Sequence, residues 1–269
     1  MFYDLSPDTV AFSTERRTED IDQPYAGFNV NPFTGDDPTH VAACQQQLAD
    51  ALHLPLHRIV IPHQVHGSRC LLVDEDLLSQ LAAQDATATV PFVPALEGVD
   101  GLLTNIPEVC IGISTADCVP LLFYDSVTSS LGVAHAGWRG TVARIGHLLL
   151  TQMHEAFGTR PQDVHCLIGP CIGPEVYEVG EDVYQAFSQE GFPMSQIARS
   201  IPATSSADSR RWLLDLWQAN VWQLQRAGLP LANITVSGIC TYIDYARFFS
   251  ARRLGIASGR IFSGLVLRR

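Results

Sequence analysis

Between residues 141 and 157 apolar side chains recur at helical spacing, and the run stops at Gly158. A glycine there supplies the left-handed residue that closes a helix, so the pattern predicts a helix over 141–157. Residues 212–227 repeat the pattern and stop at Gly228, predicting another. Asp37-Pro38 opens a helix running to about Leu52, with proline at the first helical position, where no N–H is needed. A short helix is expected after Gly180. The remaining apolar residues come in short, β-rich runs bounded by Gly, Pro, Asn or Asp. They predict strands over 58–61, 69–73, 109–114, 121–124, 131–134, 165–168, 234–237 and 261–267.

Helices and strands interleave irregularly, which points to a mixed α/β fold rather than a barrel of βα units or a simple doubly wound sheet. No G-x-G-x-x-G follows a strand, so a dinucleotide cofactor has no support. The polar stretches 79–97, a helix end followed by a loop, and 195–210 read as surface segments. Neither is long enough to separate independent domains, so one domain over 1–269 is expected.

Composition narrows the function. Of 269 residues 46% are hydrophobic and 17% charged, an ordinary balance for a soluble protein. No apolar run approaches the ~18 residues a membrane span needs. Residues 1–20 lack the basic-then-apolar order of a signal peptide, so a cytoplasmic protein is expected. The net charge of −11 argues against nucleic acid or an anionic membrane as partner. All 17 basic residues are arginine. Lysine Schiff bases and phosphate-binding P-loop lysines are therefore excluded, and any anion must meet arginine, backbone N–H groups, helix N-termini or a metal. Seven cysteines, an odd number without C-x-x-C, exclude a zinc ribbon and a disulfide framework.

Three segments place reactive residues where strands end, the usual seat of function: Gln64-Val65-His66-Gly67, Thr115-Ala116-Asp117-Cys118-Val119-Pro120 and His135-Ala136-Gly137-Trp138-Arg139-Gly140. Taken singly, each has an ordinary reading. A lone cysteine is usually a small buried hydrophobe, a loop histidine is as often a surface residue, and His63 stands close enough to compete with His66. Spacing alone does not bring the segments together.

These segments resemble the QVHG, T-A-D-C-x-P and HAGWRG blocks of the laccase-domain (YfiH-like) family. The likeness continues through Ile168-Gly169-Pro170-Cys171-Ile172-Gly173, Tyr177-Glu178-Val179-Gly180, Leu214-Asp215-Leu216, Ala219-Asn220, Cys240-Thr241 and Ser250-Ala251-Arg252-Arg253. Phe12-Ser13-Thr14 and Gly27-Phe28-Asn29 match its opening. The resemblance spans essentially the whole chain. It implies one mixed α/β domain of two sheets sandwiched between helices, and a zinc, with copper as the alternative, held by His66, Cys118 and His135. Such a donor set suits zinc, and three protein ligands are the catalytic pattern. It also implies phosphorolysis of adenosine, inosine and methylthioadenosine and deamination of adenosine, with nucleoside and phosphate as partners. Arg139 is the candidate catalytic arginine; Asn29, Asp117 and Arg252 are candidates for substrate binding, a structural salt bridge or cap being the other reading of Asp117 and Arg139. The chain departs from the family pattern at Glu15, Cys44-Gln45 and Leu254.

Other readings share these residues. Two histidines and a cysteine also describe a copper centre and hence a polyphenol oxidase, although there is no H-x-H or H-C-H and only nine histidines. A metal-free hydrolase would use Cys118 as nucleophile and His135 as base; editing of peptidoglycan precursors is one form of it. A binding protein that has lost activity is disfavoured by retention of all three ligands.

Overall fold

The computed structural model describes residues 1–84, 89–202 and 210–268. Its strands are β1 (Phe2–Tyr3), β2 (Thr9–Ser13), β3 (Ile59–Val60), β4 (Cys70–Leu72), β5 (Gly101–Thr104), β6 (Cys110–Thr115), β7 (Val119–Asp125), β8 (Ser130–Ala136), β9 (Val164–Ile168), β10 (Glu178–Gly180), β11 (Ala198–Ile201), β12 (Arg211–Leu214), β13 (Ile234–Val236) and β14 (Ile261–Leu267). Its helices are α1 (Pro38–Leu52), α2 (Glu75–Ala82), α3 (Trp138–Val142), α4 (Ile145–Phe157), α5 (Glu181–Gln189), α6 (Met194–Ile197), α7 (Leu216–Arg226) and α8 (Ala251–Leu254).

Two mixed sheets stack face to face. One has the order β1-β2-β14-β6-β3, the other β13-β9-β7-β8-β5-β4. Ile111, Ile113 and Leu265 of the first sheet meet Leu102, Leu122 and Val133 of the second in a shared apolar layer. The far face of the five-stranded sheet, with Phe12, Ile59 and Phe262, packs on Leu48 and Leu52 of α1. The far face of the six-stranded sheet, with Leu121, Phe123 and Ile168, packs on Leu149 and Met153 of α4 and Leu224 of α7. The result is four layers, helix–sheet–sheet–helix, in the mixed α/β class expected. Because both sheets are covered on both sides, β7 and β8 are buried along their whole length, which is why they read as apolar runs rather than alternations. A third, antiparallel sheet, β10-β12-β11, lies outside the two-sheet expectation.

Local differences from the expected elements have physical causes. The helix expected from residue 212 starts only at Leu216. Arg211–Leu214 pairs as β12 with both β10 and β11, and Asp215 caps α7 by accepting from the Gln218 N–H at 2.8 Å. The helix expected from residue 141 begins earlier, at Trp138, and is broken at Arg144, whose φ is +58°. Helix α1 and the helix after Gly180 match their expected positions. Of the two expected loops, 79–97 includes the end of α2, and 195–210 includes β11; residues 85–88 and 203–209 lie outside the described residues.

The departures from the family pattern fill structural roles. At the first departure Glu15 pairs with Arg247, and Arg16, one step on, is fully buried and donates to the carbonyls of Ile21, Gln23, Ala26 and Tyr245. Gln45 spans between the Val30 carbonyl and the Val90 N–H, 2.8 Å from each. Leu254 packs against the small cluster around Phe248 and Phe249.

Candidate functional site

Adjacent ends of β7 and β8 set two of the three expected residues side by side. In their antiparallel register Val119 faces Ala136 and Pro120 faces His135, so Cys118, one step before β7, lies beside the end of β8. The third, His66, comes from the β3–β4 connection in a left-handed conformation, φ +61°. One donor atom from each of His66, Cys118 and His135 lies within 4.8 Å of the others. The His66 and His135 rings meet edge to face, centroids 4.7 Å apart.

What holds His66 and His135 is Asp100, which sequence reasoning missed. It precedes β5, whose Gly101 pairs with Ala134 of β8, and it is completely buried. Its Oδ1 accepts the His66 N–H at 3.0 Å and the His135 Nδ1–H at 2.8 Å. Its Oδ2 accepts the N–H groups of Val65 and Gly67 at 3.2 and 2.8 Å. The carboxylate thus shapes the whole Val65-His66-Gly67 turn and directs the other nitrogen of His135 away from itself, towards Cys118. This is the carboxylate–imidazole arrangement that orients a metal ligand. Burial pushes the Asp100 carboxyl up, but the bonds from His135 and the backbone hold it below the usual range. Burial likewise opposes ionisation of Cys118, yet His135 and His66 bring its thiol well below the ordinary value; Cys118 and Asp100 raise His135 in return. The thiolate, the ligand form of cysteine, is favoured.

The glycines of the third segment make room. A Cβ on Gly137 would stand 2.8 Å from the Cys118 Sγ and 3.5 Å from the His66 ring, and one on Gly140 only 2.7 Å from the His135 carbonyl oxygen. A side chain at 137 would crowd the donors themselves, and one at 140 the backbone that carries His135.

His66, Cys118 and His135 open into a cleft of about 600 Å³. Arg139, Arg252 and Arg260 line it. Arg139 lies over the Trp138 ring at 4.4 Å, and Arg252 lies near the Tyr177 ring and donates to the Glu178 carbonyl. Arg260, also missed, donates to the carbonyls of Ile256, Ser258 and Gly259. None of the three has a carboxylate partner among the described residues. Ser114 and Thr115 line the same cleft with buried hydroxyls that lack any partner.

Asp117 reaches the cleft wall, but its Oδ1 accepts from the Thr241 hydroxyl and its Oδ2 from the Arg252 N–H, both at 2.7 Å. It clamps the start of α8. Asn29 is buried behind the wall, where its Oδ1 accepts the Arg260 N–H at 3.1 Å and its amide donates to Asp36. His63 stands on the wall apart from the three donors, 2.8 Å from Glu97 and stacked on Phe33 at 4.4 Å.

A family model described as multi-copper polyphenol oxidoreductase laccase matches residues 10–268. The chain is 40% identical over 258 residues to a purine nucleoside phosphorylase of Bacteroides thetaiotaomicron, covering 96% of this chain and 91% of that one. It is 39% identical over 256 residues to adenosine deaminase RL5 of an unknown prokaryotic organism, covering 95% and 92%. Among solved structures it resembles YlmD of Geobacillus stearothermophilus, with TM-score 0.81, 32% identity and 99% and 94% coverage. It also resembles the hypothetical protein YfiH of Bacillus licheniformis, with TM-score 0.84, 28% identity and 99% of each chain covered.

Proposed function

The chain belongs to the multi-copper polyphenol oxidoreductase laccase family, and from that premise we propose that it is a zinc-dependent purine nucleoside enzyme. It cleaves adenosine, inosine and methylthioadenosine with phosphate and deaminates adenosine, and the whole chain, 1–269, serves as one domain around a single site. The observation that carries this reading is the convergence of His66, Cys118 and His135 in a cleft walled by three arginines free of carboxylates. The relatives named purine nucleoside phosphorylase and adenosine deaminase supply the substrate class.

The donor set fits zinc: two imidazoles and a thiolate whose donor atoms lie within 4.8 Å of one another, with the count that leaves one position open. Bound there, zinc supplies Lewis acidity to an oxygen of the reacting groups. The chain's own residues do the rest. Asp100 fixes the tautomer and orientation of His135 and the shape of the His66 turn. Arg139, Arg252 and Arg260 hold phosphate, being the arginines that line the cleft among the described residues of a protein without lysine. Ser114 and Thr115, cleft residues whose hydroxyls are buried without a partner, would bond ribose hydroxyls only after a side-chain rotation towards the cleft.

Copper would accept the same donors, and a polyphenol oxidase is the reading suggested by the family description. Metal analysis of untreated protein, paired with rates on adenosine and inosine with and without phosphate, separates the two. Zinc with phosphate-dependent release of free base is the expected result; copper with phenol oxidation and no nucleoside turnover overturns it. We place the protein in the cytoplasm, in keeping with seven free cysteines, with nucleoside and phosphate rather than nucleic acid or membrane as partners; among the described residues no helix is long and apolar enough to cross a membrane.

A further inference from the structure

Both reactions in the reading above move a proton. In phosphorolysis the C1′–N9 bond breaks as a phosphate oxygen joins C1′, its electron pair flows into the purine, and a ring nitrogen must gain a proton. In deamination the proton lost by the attacking water must reach the amine that leaves as ammonia; hydrolytic deaminases give this work to a glutamate that is not a metal ligand. The cleft holds no free carboxylate to do it. Asp100 is sealed behind the histidines with both oxygens engaged, and both oxygens of Asp117 are tied to Thr241 and Arg252. His66, Cys118 and His135 are the metal donors. Arginine does not give up a proton, and burial pushes the Tyr177 phenol far above the range of a shuttle.

Among the described residues that leaves one titratable group on the cleft wall, His63. Its Nδ1 lies 2.8 and 3.0 Å from the two carboxylate oxygens of Glu97. The backbones of both residues are fixed by a parallel bridge, with the His63 N–H on the Leu96 carbonyl and the Gly98 N–H on the His63 carbonyl. The ring is stacked on Phe33, which also lines the cleft. Glu97 therefore holds one nitrogen, leaving Nε2 as the nitrogen free for a ligand. His63 is 36% and Glu97 57% exposed at the side chain, so the pair sits at the rim, open to bulk water.

Resting on the purine nucleoside reading, we propose that His63 is the proton shuttle of this enzyme and that Glu97 is its positioning residue. In phosphorolysis His63 gives its Nε2 proton to the departing purine and recovers one from solvent, which receives the proton phosphate loses on becoming an ester. In deamination it takes a proton from the adding water and passes it to the amine, so none is gained or lost overall.

The test compares inosine with 7-methylinosine, whose base already carries the positive charge that protonation would supply and so leaves without an acid. General acid catalysis predicts that His63→Gln lowers kcat on inosine by roughly 10²–10⁴-fold and on 7-methylinosine by less than about 10-fold. Metal content should stay that of the wild type. Glu97→Gln should show the same bias between the two substrates at smaller size, which a merely structural role would not produce. Equal losses on both nucleosides, or loss of metal from His63→Gln, overturn the shuttle while leaving the purine nucleoside reading intact. Wild-type protein that cleaves neither nucleoside removes that reading, and the shuttle with it.

Discussion

Asp100→Asn tests the support beneath the metal site with almost no change in shape. Asparagine keeps one acceptor oxygen and turns the other into an N–H₂ donor. With its oxygen in the Oδ1 place, it still accepts from the His66 N–H and the His135 Nδ1–H, now without charge assistance. Its NH₂ then faces the N–H groups of Val65 and Gly67, at 3.2 and 2.8 Å in the native protein. Two bonds to a charged group are lost, each worth about 1.5–3 kcal/mol, so the metal-free protein should lose about 4 kcal/mol once the turn relaxes. At roughly 2–4 °C per kcal/mol for a chain of this size, Tm should fall by about 8–16 °C. Metal affinity should fall a further ~10–100-fold, the usual effect of removing a carboxylate behind a ligating imidazole. Thermal unfolding of metal-free protein measures the first quantity, and competition against a chromophoric chelator the second. A variant that binds zinc as tightly as the wild type, with Tm lowered by no more than about 2 °C, would refute the assignment of Asp100 as the organiser of the site.

Cys118→Ala should lose metal and activity together if the thiolate is a ligand as proposed; full zinc content with no turnover would point to a cysteine nucleophile instead. Gly137→Ala puts a methyl 2.8 Å from the Cys118 Sγ at a backbone conformation open to alanine, φ −59°. It should weaken metal binding by about 10-fold or more while leaving metal-free Tm within about 3 °C, as read by the same chelator and unfolding assays. Arg139→Lys should impair phosphorolysis of adenosine more than its deamination, since a point charge does not replace a planar fork. Rates with and without phosphate check this, and equal loss of both would assign Arg139 to holding Trp138.

The three donors were legible because each lies in a contiguous block whose order along the chain carries the family resemblance. Their support was not. Asp100 sits in Val99-Asp100-Gly101-Leu102, with no motif around it. The one available signal was a charge inside a stretch that is otherwise apolar, which a folded protein tolerates only where the charge is fully bonded. Arg260, at the threshold of β14, carried the same kind of signal: a guanidinium directly before a wholly buried strand. The mixed α/β class could be read from long elements such as α1, β7 and β8, whereas the layering of two sheets between helices came from the family resemblance. The three-stranded sheet could not, because strands of three or four residues are too short to show a period of two. Trp212-Leu213-Leu214 continued the helical spacing of α7 by coincidence, although Asp215, three residues before Gln218, already marked the better start.

Charge, counted over the cleft, accounts for why an acidic protein carries this particular wall. A divalent cation held by His66, Cys118 and His135 would be offset by the Cys118 thiolate and the Asp100 carboxylate behind it, leaving the metal centre neutral with both imidazoles uncharged. Asp117, which lines the same cleft, sets one negative charge against the three arginines without pairing with any guanidinium. Two positive charges remain, in a chain whose overall charge is −11. A nucleoside is neutral and cannot answer them, nor can a phenol. Phosphate, which near neutral pH carries between one and two negative charges, can. Arg139 and Arg252 are exposed and Arg260 is half-buried, none with a carboxylate partner among the described residues, and an anionic co-substrate would complete the charge of the cleft. Deamination alone gives them nothing to hold, so within the proposed function the charge pattern favours phosphorolysis, with deamination the reaction expected when water takes the place of phosphate.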